Sequence, residues 1–88
     1  MWTKEKVEVV LRNNPYFENL FKEGIGKYAC LYKVEGVDLV IFYTVLGQAG
    51  YYIFNKPKSK SEEQKLQDFV QNAIVVCNEI YKKKGGAR

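Results

Sequence analysis

The residue types that could carry a chemical function in this 88-residue chain are mainly lysine and tyrosine. Seven of the lysines form two clusters, one within the sequence FNKPKSKSEEQKLQDF and one near the C-terminus: Lys56, Lys58, Lys60, Lys65, Lys82, Lys83 and Lys84. Lysine clusters bind phosphate groups, and tyrosine rings stack on bases. The net charge of +4 and the seven tyrosines therefore raise nucleic-acid binding as one function. The alternative is that the lysines belong to a solvated connector and tail.

Groups suited to acid–base or nucleophilic catalysis are scarce. The chain has no histidine, the commonest general acid or base, and its two serines, Ser59 and Ser61, lie where helix capping explains at least one of them. The glycines of GIGKY follow a predicted helix and precede a strand, which is the wrong order for a phosphate-binding loop. We therefore expect no enzyme activity, no cofactor and no metal centre.

The two cysteines, Cys30 and Cys77, lie in apolar segments without a CxxC spacing. Free cysteine is among the most buried residue types, so we expect two buried, inert thiols. A disulfide or a reactive thiol is the alternative.

A helix, the strand sequence VDLV, a further strand that runs into FNK and a final helix follow one another. This order resembles that of the PD-(D/E)xK nucleases, in which the strand aspartate and the acidic residue of the (D/E)xK element bind a metal and the lysine assists hydrolysis. Asp38 and Lys56 match, but Phe54 stands where the second carboxylate belongs and Val37 replaces the proline. The resemblance implies a degenerate nuclease fold without activity.

The order helix, three strands, helix is also similar to that of double-stranded RNA-binding domains, which place lysines at the start of their last helix. Glu62 and Glu63 stand where that family has its glycine and paired lysines. Only Arg12 and Arg88 among the 14 basic residues are arginine, although phosphate contacts often favour the guanidinium fork.

Length and composition predict a single small domain, residues 1–88, with a loose tail at 85–88. With 47% hydrophobic and 27% charged residues, the composition is that of an ordinary globular protein. The longest apolar run, LVIFY, is far shorter than the roughly 20 residues of a membrane span. The N-terminal sequence lacks the features of a secretory signal. We therefore expect a cytoplasmic protein that does not enter the membrane.

The first helix is predicted from about Lys4 to Arg12. Thr3 is suited to cap it, and Val7, Val10 and Leu11 share one of its faces. The sequence NNP ends it, because the residue before a proline avoids helical geometry.

A second, short helix is predicted to begin at once. Asn14 would cap it, Pro15 would occupy its first turn, and Gly24 would end it. Its apolar stripe consists of Phe17, Leu20 and Phe21.

Three antiparallel strands follow. The sequences KYACLYKV and VDLVIFYTVL flank Glu35 and Gly36, a two-residue separation that predicts a hairpin with Val34 opposite Val37. After GQAG comes a short third strand, YYIFN, antiparallel to the second.

The last helix carries the strongest periodic signal. Ser61 and Gln64 form a capping box at its start, with Glu62 and Glu63 in the first turn. Its apolar positions recur at helical spacing: Leu66, Phe69, Val70, Ala73, Ile74, Cys77, Ile80 and Tyr81. The sequence KKKGGAR ends it. The fold class is therefore α+β, with one or two N-terminal helices, a three-stranded meander and a long C-terminal helix on one sheet face.

The predicted strands have two apolar faces. The face assigned to the core, under the last helix, carries Tyr28, Cys30, Tyr32, Val34, Val37, Leu39, Ile41, Tyr43, Val45, Tyr52 and Phe54. The other face carries Ala29, Leu31, Val40, Phe42, Leu46, Tyr51 and Ile53, with a polar rim. An apolar centre with a polar rim is the composition of an interface.

We therefore predict a small non-catalytic interaction module that docks by this second face, as a homodimer or on a partner protein. The contact patch consists of Leu31, Val40, Phe42 and Ile53, rimmed by Lys33 and Asp38. In the alternative, the N-terminal helices fold back and cover the patch. A regulator or inhibitor of the kind that phages and mobile elements encode would suit the size; nucleic-acid binding through the lysine clusters is the second function.

Overall fold

The chain has the α+β architecture that the sequence predicts. The computed structural model describes residues 2–23, 29–44 and 48–83. The elements, in order, are α1 (Lys4–Arg12), α2 (Asn19–Glu23), β1 (Cys30–Val34), β2 (Val37–Tyr43), β3 (Ala49–Ile53) and α3 (Lys60–Lys83). The strands form one antiparallel sheet in the order β1-β2-β3, and α3 packs on one face of it. The predicted loose tail lies outside the described residues.

Helix α1 begins and ends where the sequence predicts. The Thr3 hydroxyl oxygen accepts a hydrogen bond from the Lys6 N–H at 3.2 Å, which satisfies one of the donors that a first turn leaves unpaired. Val7 and Leu11 are fully buried on the predicted face. The helix therefore joins the core through the stripe that its sequence encodes.

The second helix begins later than predicted. The Asn14 side-chain oxygen accepts from the Tyr16 N–H at 2.9 Å, which makes an Asx turn in place of a helix cap. Residues 15–18 form consecutive turns before α2 begins. The Asn14 amide donates instead to the Leu31 carbonyl oxygen of β1 at 3.2 Å. The predicted end at Gly24 lies outside the described residues. The predicted apolar stripe is nevertheless buried: Phe17, Leu20 and Phe21.

Strands β1 and β2 form the predicted hairpin in the predicted register, with Val34 opposite Val37. Glu35 and Gly36 have positive φ angles of 50° and 79°, as a type I′ turn requires. Residues 27 and 28, and residues 45 and 46, were also assigned to strands and lie outside the described residues.

The face assignment of the third strand is wrong. It placed Ile53 away from the core and Tyr52 and Phe54 within it. Ile53 instead pairs with Leu39, and opposed residues share a face, so Ile53 turns to the core and its even-numbered neighbours turn away. A tight turn fixed the register of the first hairpin. Residues 44–48 between β2 and β3 offer no such signal, and a slip of one residue inverts every side chain.

Helix α3 is capped two residues earlier than predicted. The hydroxyl oxygen of Ser59, not of Ser61, accepts from the Glu62 N–H at 3.2 Å. The Glu62 carboxylate in turn accepts from the Lys58 N–H at 3.1 Å. Both serines match a capping-box spacing, and the one with a carboxylate three residues later is used, because an ionised acceptor makes the stronger hydrogen bond.

All three helices lie on the same face of the sheet. The Tyr32 hydroxyl donates to the Leu11 carbonyl oxygen of α1 at 3.0 Å, and the Phe21 ring of α2 lies 5.4 Å from the ring of Tyr43. The Tyr43 hydroxyl donates to Asn78 of α3 at 2.7 Å. The alternative in which the N-terminal helices cover the second face is therefore wrong.

The start of the chain is clipped to α3 by three contacts of Trp2. Its N–H donates to the Asp68 carboxylate at 2.9 Å, and its carbonyl oxygen accepts from the Asn72 side chain at 2.8 Å. Its ring meets the Phe69 ring edge-on at 5.0 Å. These contacts fix where α1 enters the helical layer.

Replacing Asn72 tests this clip. We expect Asn72→Ala to lower the free energy of unfolding by about 1 kcal/mol, because the half-buried Trp2 carbonyl oxygen loses its donor. Gln71→Ala, at an exposed position one residue away, is the control and should change stability by less than about 0.5 kcal/mol. Urea unfolding followed by circular dichroism measures both. Equal losses for the two variants would contradict the assignment.

Candidate functional site

The candidate site is the outer face, the sheet face turned away from the helices. It consists of Leu31, Lys33, Asp38, Val40, Phe42, Gly50, Tyr52 and Phe54. Leu31, Val40 and Tyr52 form one rung across all three strands, with Leu31 57% and Tyr52 59% exposed. Phe54 is 57% exposed, and its ring lies 5.1 Å from that of Tyr52. These apolar side chains are therefore both contiguous and open to solvent.

Phe42 lies across the backbone of β3 at Gly50. A Cβ atom at Gly50 would stand 2.6 Å from the Cζ atom of Phe42 and 2.7 Å from Cε2, far inside van der Waals contact. Glycine in a strand often marks such a close approach. The ring is half-buried as a result, and it forms the floor of the outer face between β2 and β3.

A polar network closes one end of the outer face. The Asp38 carboxylate pairs with the Lys33 ammonium at 2.8 Å through one oxygen and accepts from the Asn55 side chain at 3.1 Å through the other. The Phe54 N–H donates to the Asp38 carbonyl oxygen at 2.9 Å. Asp38, the aspartate that matches the nuclease motif, thus forms a cross-strand ion pair. The described residues contain no group of three or more Asp, Glu, Cys or His that could hold a metal ion.

Five of the six predicted patch residues lie together on the outer face: Leu31, Lys33, Asp38, Val40 and Phe42. Ile53 does not, since it faces the core. Sequence reasoning missed Tyr52 and Phe54, which take its place. The available signal was Gly50, because an aromatic ring that covers a strand glycine must lie opposite to it, and this pairs the even-numbered residues of β2 and β3.

No described helix lies over the outer face, so its exposed side chains contact water. Elsewhere the exposed large apolar residues are dispersed; Val9 of α1 and Val75 of α3 are 60% and 44% exposed and lie on separate helices. Single exposed apolar residues are normal, whereas a contiguous set marks an interaction surface. The outer face is therefore the strongest candidate site among the described residues.

The predicted phosphate-binding lysines lie in two separate places. Lys56, Lys58 and Lys60 are exposed at the start of α3, where the carboxylates of Glu62 and Glu63 are interspersed. Lys65 lies 3.9 Å from the carboxylate of Glu35. The second cluster is found at the far end of α3, roughly 35 Å away for a 24-residue helix: Lys82 and Lys83, with Lys84 outside the described residues.

Both thiols are buried and free, as predicted. Burial raises the pKa of Cys77 to about 12 and also raises the pKa of Cys30. Burial likewise raises the pKa of the Tyr43 hydroxyl to about 12. The thiolate, the nucleophilic form of cysteine, is therefore scarce at neutral pH.

Comparison with protein-family models, with curated proteins and with solved structures finds no match. Along the described stretches of the chain, no helix has both the length and the apolar character needed to cross a bilayer. Function must therefore be argued from the outer face itself.

The contact between Phe42 and Gly50 can be tested by a double-mutant cycle. We expect Gly50→Ala to lower the free energy of unfolding by about 1–3 kcal/mol, because the new methyl group displaces the Phe42 ring. In a Phe42→Ala background the same change should be neutral or stabilising, since alanine in a strand is preferred to glycine by about 0.5–1 kcal/mol. Urea unfolding of the four proteins gives the coupling. An equal cost in both backgrounds would show that the ring does not lie over the glycine.

Proposed function

We propose that this protein is a small non-catalytic docking module that binds an amphipathic helix of a partner protein on its outer face. The observation that carries the proposal is the contiguous set of Leu31, Tyr52 and Phe54, each more than half exposed, on a face that no described helix covers. A regulator or inhibitor that occupies a partner's helix would work in this way.

The dimensions of the outer face suit one helix. Neighbouring strands lie about 4.8 Å apart, so the two edge strands are about 10 Å apart, close to the diameter of a helix. Five-residue strands are about 17 Å long, which a helix of about three turns matches. The same footprint, roughly 250 Å², is small for face-to-face association of two copies, because a stable interface buries about 800 Å² per partner.

The charges of the outer face favour an apolar stripe with an acidic flank. The carboxylate of Asp38 is already satisfied by Lys33 and Asn55, and the central rung has no charged side chain. Lys33 remains 69% exposed at the rim. We therefore infer that the partner helix places apolar residues on the rung and an acidic side chain near Lys33.

Selection from a displayed library of helical peptides tests the proposal. The bait is the natural chain, and binders to a Leu31→Lys/Tyr52→Lys variant are removed in parallel. We expect the enriched peptides to carry apolar residues at i, i+3, i+4 and i+7. Each single lysine substitution should weaken binding about tenfold or more, because it buries a charge in an apolar contact.

Val9→Lys is the matched control, since Val9 is as exposed as Tyr52 but lies on α1. It should leave peptide affinity unchanged. Peptides that bind the double variant as well as the natural chain would overturn the proposal. Face-to-face association of two copies is the competing outcome, and light scattering would then show a dimer that Leu31→Lys separates.

Nucleic-acid binding is the second candidate, favoured by the exposed side chains of Lys56, Lys58 and Lys60, which form no ion pair within the described part of the chain. Fluorescence anisotropy with short DNA and RNA duplexes, at a series of salt concentrations, measures it. If these lysines bind phosphate, replacing all three by glutamine should reduce the salt dependence by about three phosphate contacts. The docking proposal predicts instead that the triple variant binds the selected peptides as the natural chain does.

A further inference from the structure

We propose that two copies of this chain pair edge to edge along β3, so that their sheets join into one antiparallel six-stranded sheet. The edge of β3 and the outer face are different surfaces. The inference therefore goes beyond the docking function and stands independently of it.

The direction of the backbone groups shows which of them are free. The Phe54 N–H bonds to the Asp38 carbonyl oxygen of β2 at 2.9 Å. Backbone groups alternate in direction along a strand, so those of Tyr52 and Gly50 also point to β2. The N–H and C=O groups that point to the open edge are therefore those of Ala49, Tyr51 and Ile53.

The open edge has none of the usual protection against pairing. Natural edge strands carry lysine, proline or a bulge, whereas residues 48–55 contain no charge and no proline. In the described ranges, no side chain bonds to the outward groups of β3. The opposite edge differs, because Asn14 already donates to the Leu31 carbonyl oxygen of β1.

The sequence of β3, Ala-Gly-Tyr-Tyr-Ile, is complementary to itself when it is reversed. In an antiparallel pair centred on Tyr51, Ala49 faces Ile53 of the second copy and Gly50 faces Tyr52 of the second copy. Each small residue thus faces a large one on both sides of the sheet. The outward groups also face one another in this register, which allows six hydrogen bonds and uses all five residues of the strand.

The helical layer leaves this edge accessible. Asp68 and Asn72 of α3 contact Trp2 just before α1, so α1 lies on the side of α3 that is away from β3. Ile74 points roughly opposite to these two residues, at about 100° per residue, and it is only partly buried. In the paired sheet the two α3 helices would be neighbours, and Ile74 would lie on the flank that each turns to the other.

Light scattering over a wide concentration range tests the pairing. We expect a dimer that is insensitive to salt, because the edge is uncharged. Tyr51→Pro removes an outward N–H but no bond to β2, as proline at a strand edge does. It should raise the dimer dissociation constant by about tenfold or more. Leu31→Lys, on the outer face of β1, should leave the dimer unchanged. A natural chain that is monomeric at every concentration would overturn the inference, whatever the peptide experiment gives.

An intermolecular disulfide provides a readout that does not depend on proline. Paired residues at the two-fold axis have Cα atoms about 5.5 Å apart, within the range of about 4.4–6.8 Å that a disulfide spans. We expect Tyr51→Cys to cross-link two copies much faster under mild oxidation than Tyr16→Cys, although Tyr16 is 60% exposed and Tyr51 only 39%. Equal rates would overturn the inference. Retained peptide binding in Tyr51→Pro would show that dimerisation and docking are separate.

Discussion

Strand β2 is apolar on both of its faces, and the helices cover only one. Its odd-numbered residues, Leu39, Ile41 and Tyr43, are buried under the helical layer. Burying a large apolar side chain contributes about 1.5–3 kcal/mol, so this half of the strand supplies much of the force that holds the helices in place. The other half, Val40 and Phe42, has only its neighbours on β1 and β3 for cover. The exposed surface is thus a consequence of how the core is built.

Polar contacts determine where the helices sit on that core. Two buried tyrosine hydroxyls point from the sheet into the helical layer, one from Tyr32 to α1 and one from Tyr43 to α3. Each has a hydrogen-bond acceptor, and the described residues contain no buried side-chain polar atom without a partner. Apolar packing alone would tolerate a sliding or rotated helix, whereas an unpaired buried hydroxyl costs about 1–3 kcal/mol. The two tyrosines therefore select one arrangement of the layer.

The fold could be predicted from the sequence wherever a local signal was strong. The cap at Thr3, the two-residue turn at Glu35 and Gly36, and the long apolar period of α3 each fixed an element within its own few residues. The helix start near Asn14 could not be predicted, because the side chain is used across space, on Leu31. The face of β3 failed for a related reason.

Most of the candidate site could be predicted, because the hairpin register determines which residues of β1 and β2 share a face. What failed depended on a single shift of register after a loop without a turn signal, which exchanged Ile53 for Tyr52 and Phe54. Whether the second face is covered could not be predicted either, since short connections permit the N-terminal helices to pack on both sides of a sheet. Tyr32 and Tyr43 decide this question, and their hydroxyl contacts are visible only in three dimensions.

The hydrogen bond from Asn14 to the edge of β1 bears on how far association can proceed. A sheet that is open at both edges can add copies without limit, and such head-to-tail contacts generate fibres when they do not close. With the Leu31 carbonyl oxygen occupied and the chain held against that edge, only one side of the sheet can grow. Growth from one side stops after a single symmetric step. A lone asparagine amide in a loop thus keeps a strongly apolar three-stranded sheet from polymerising.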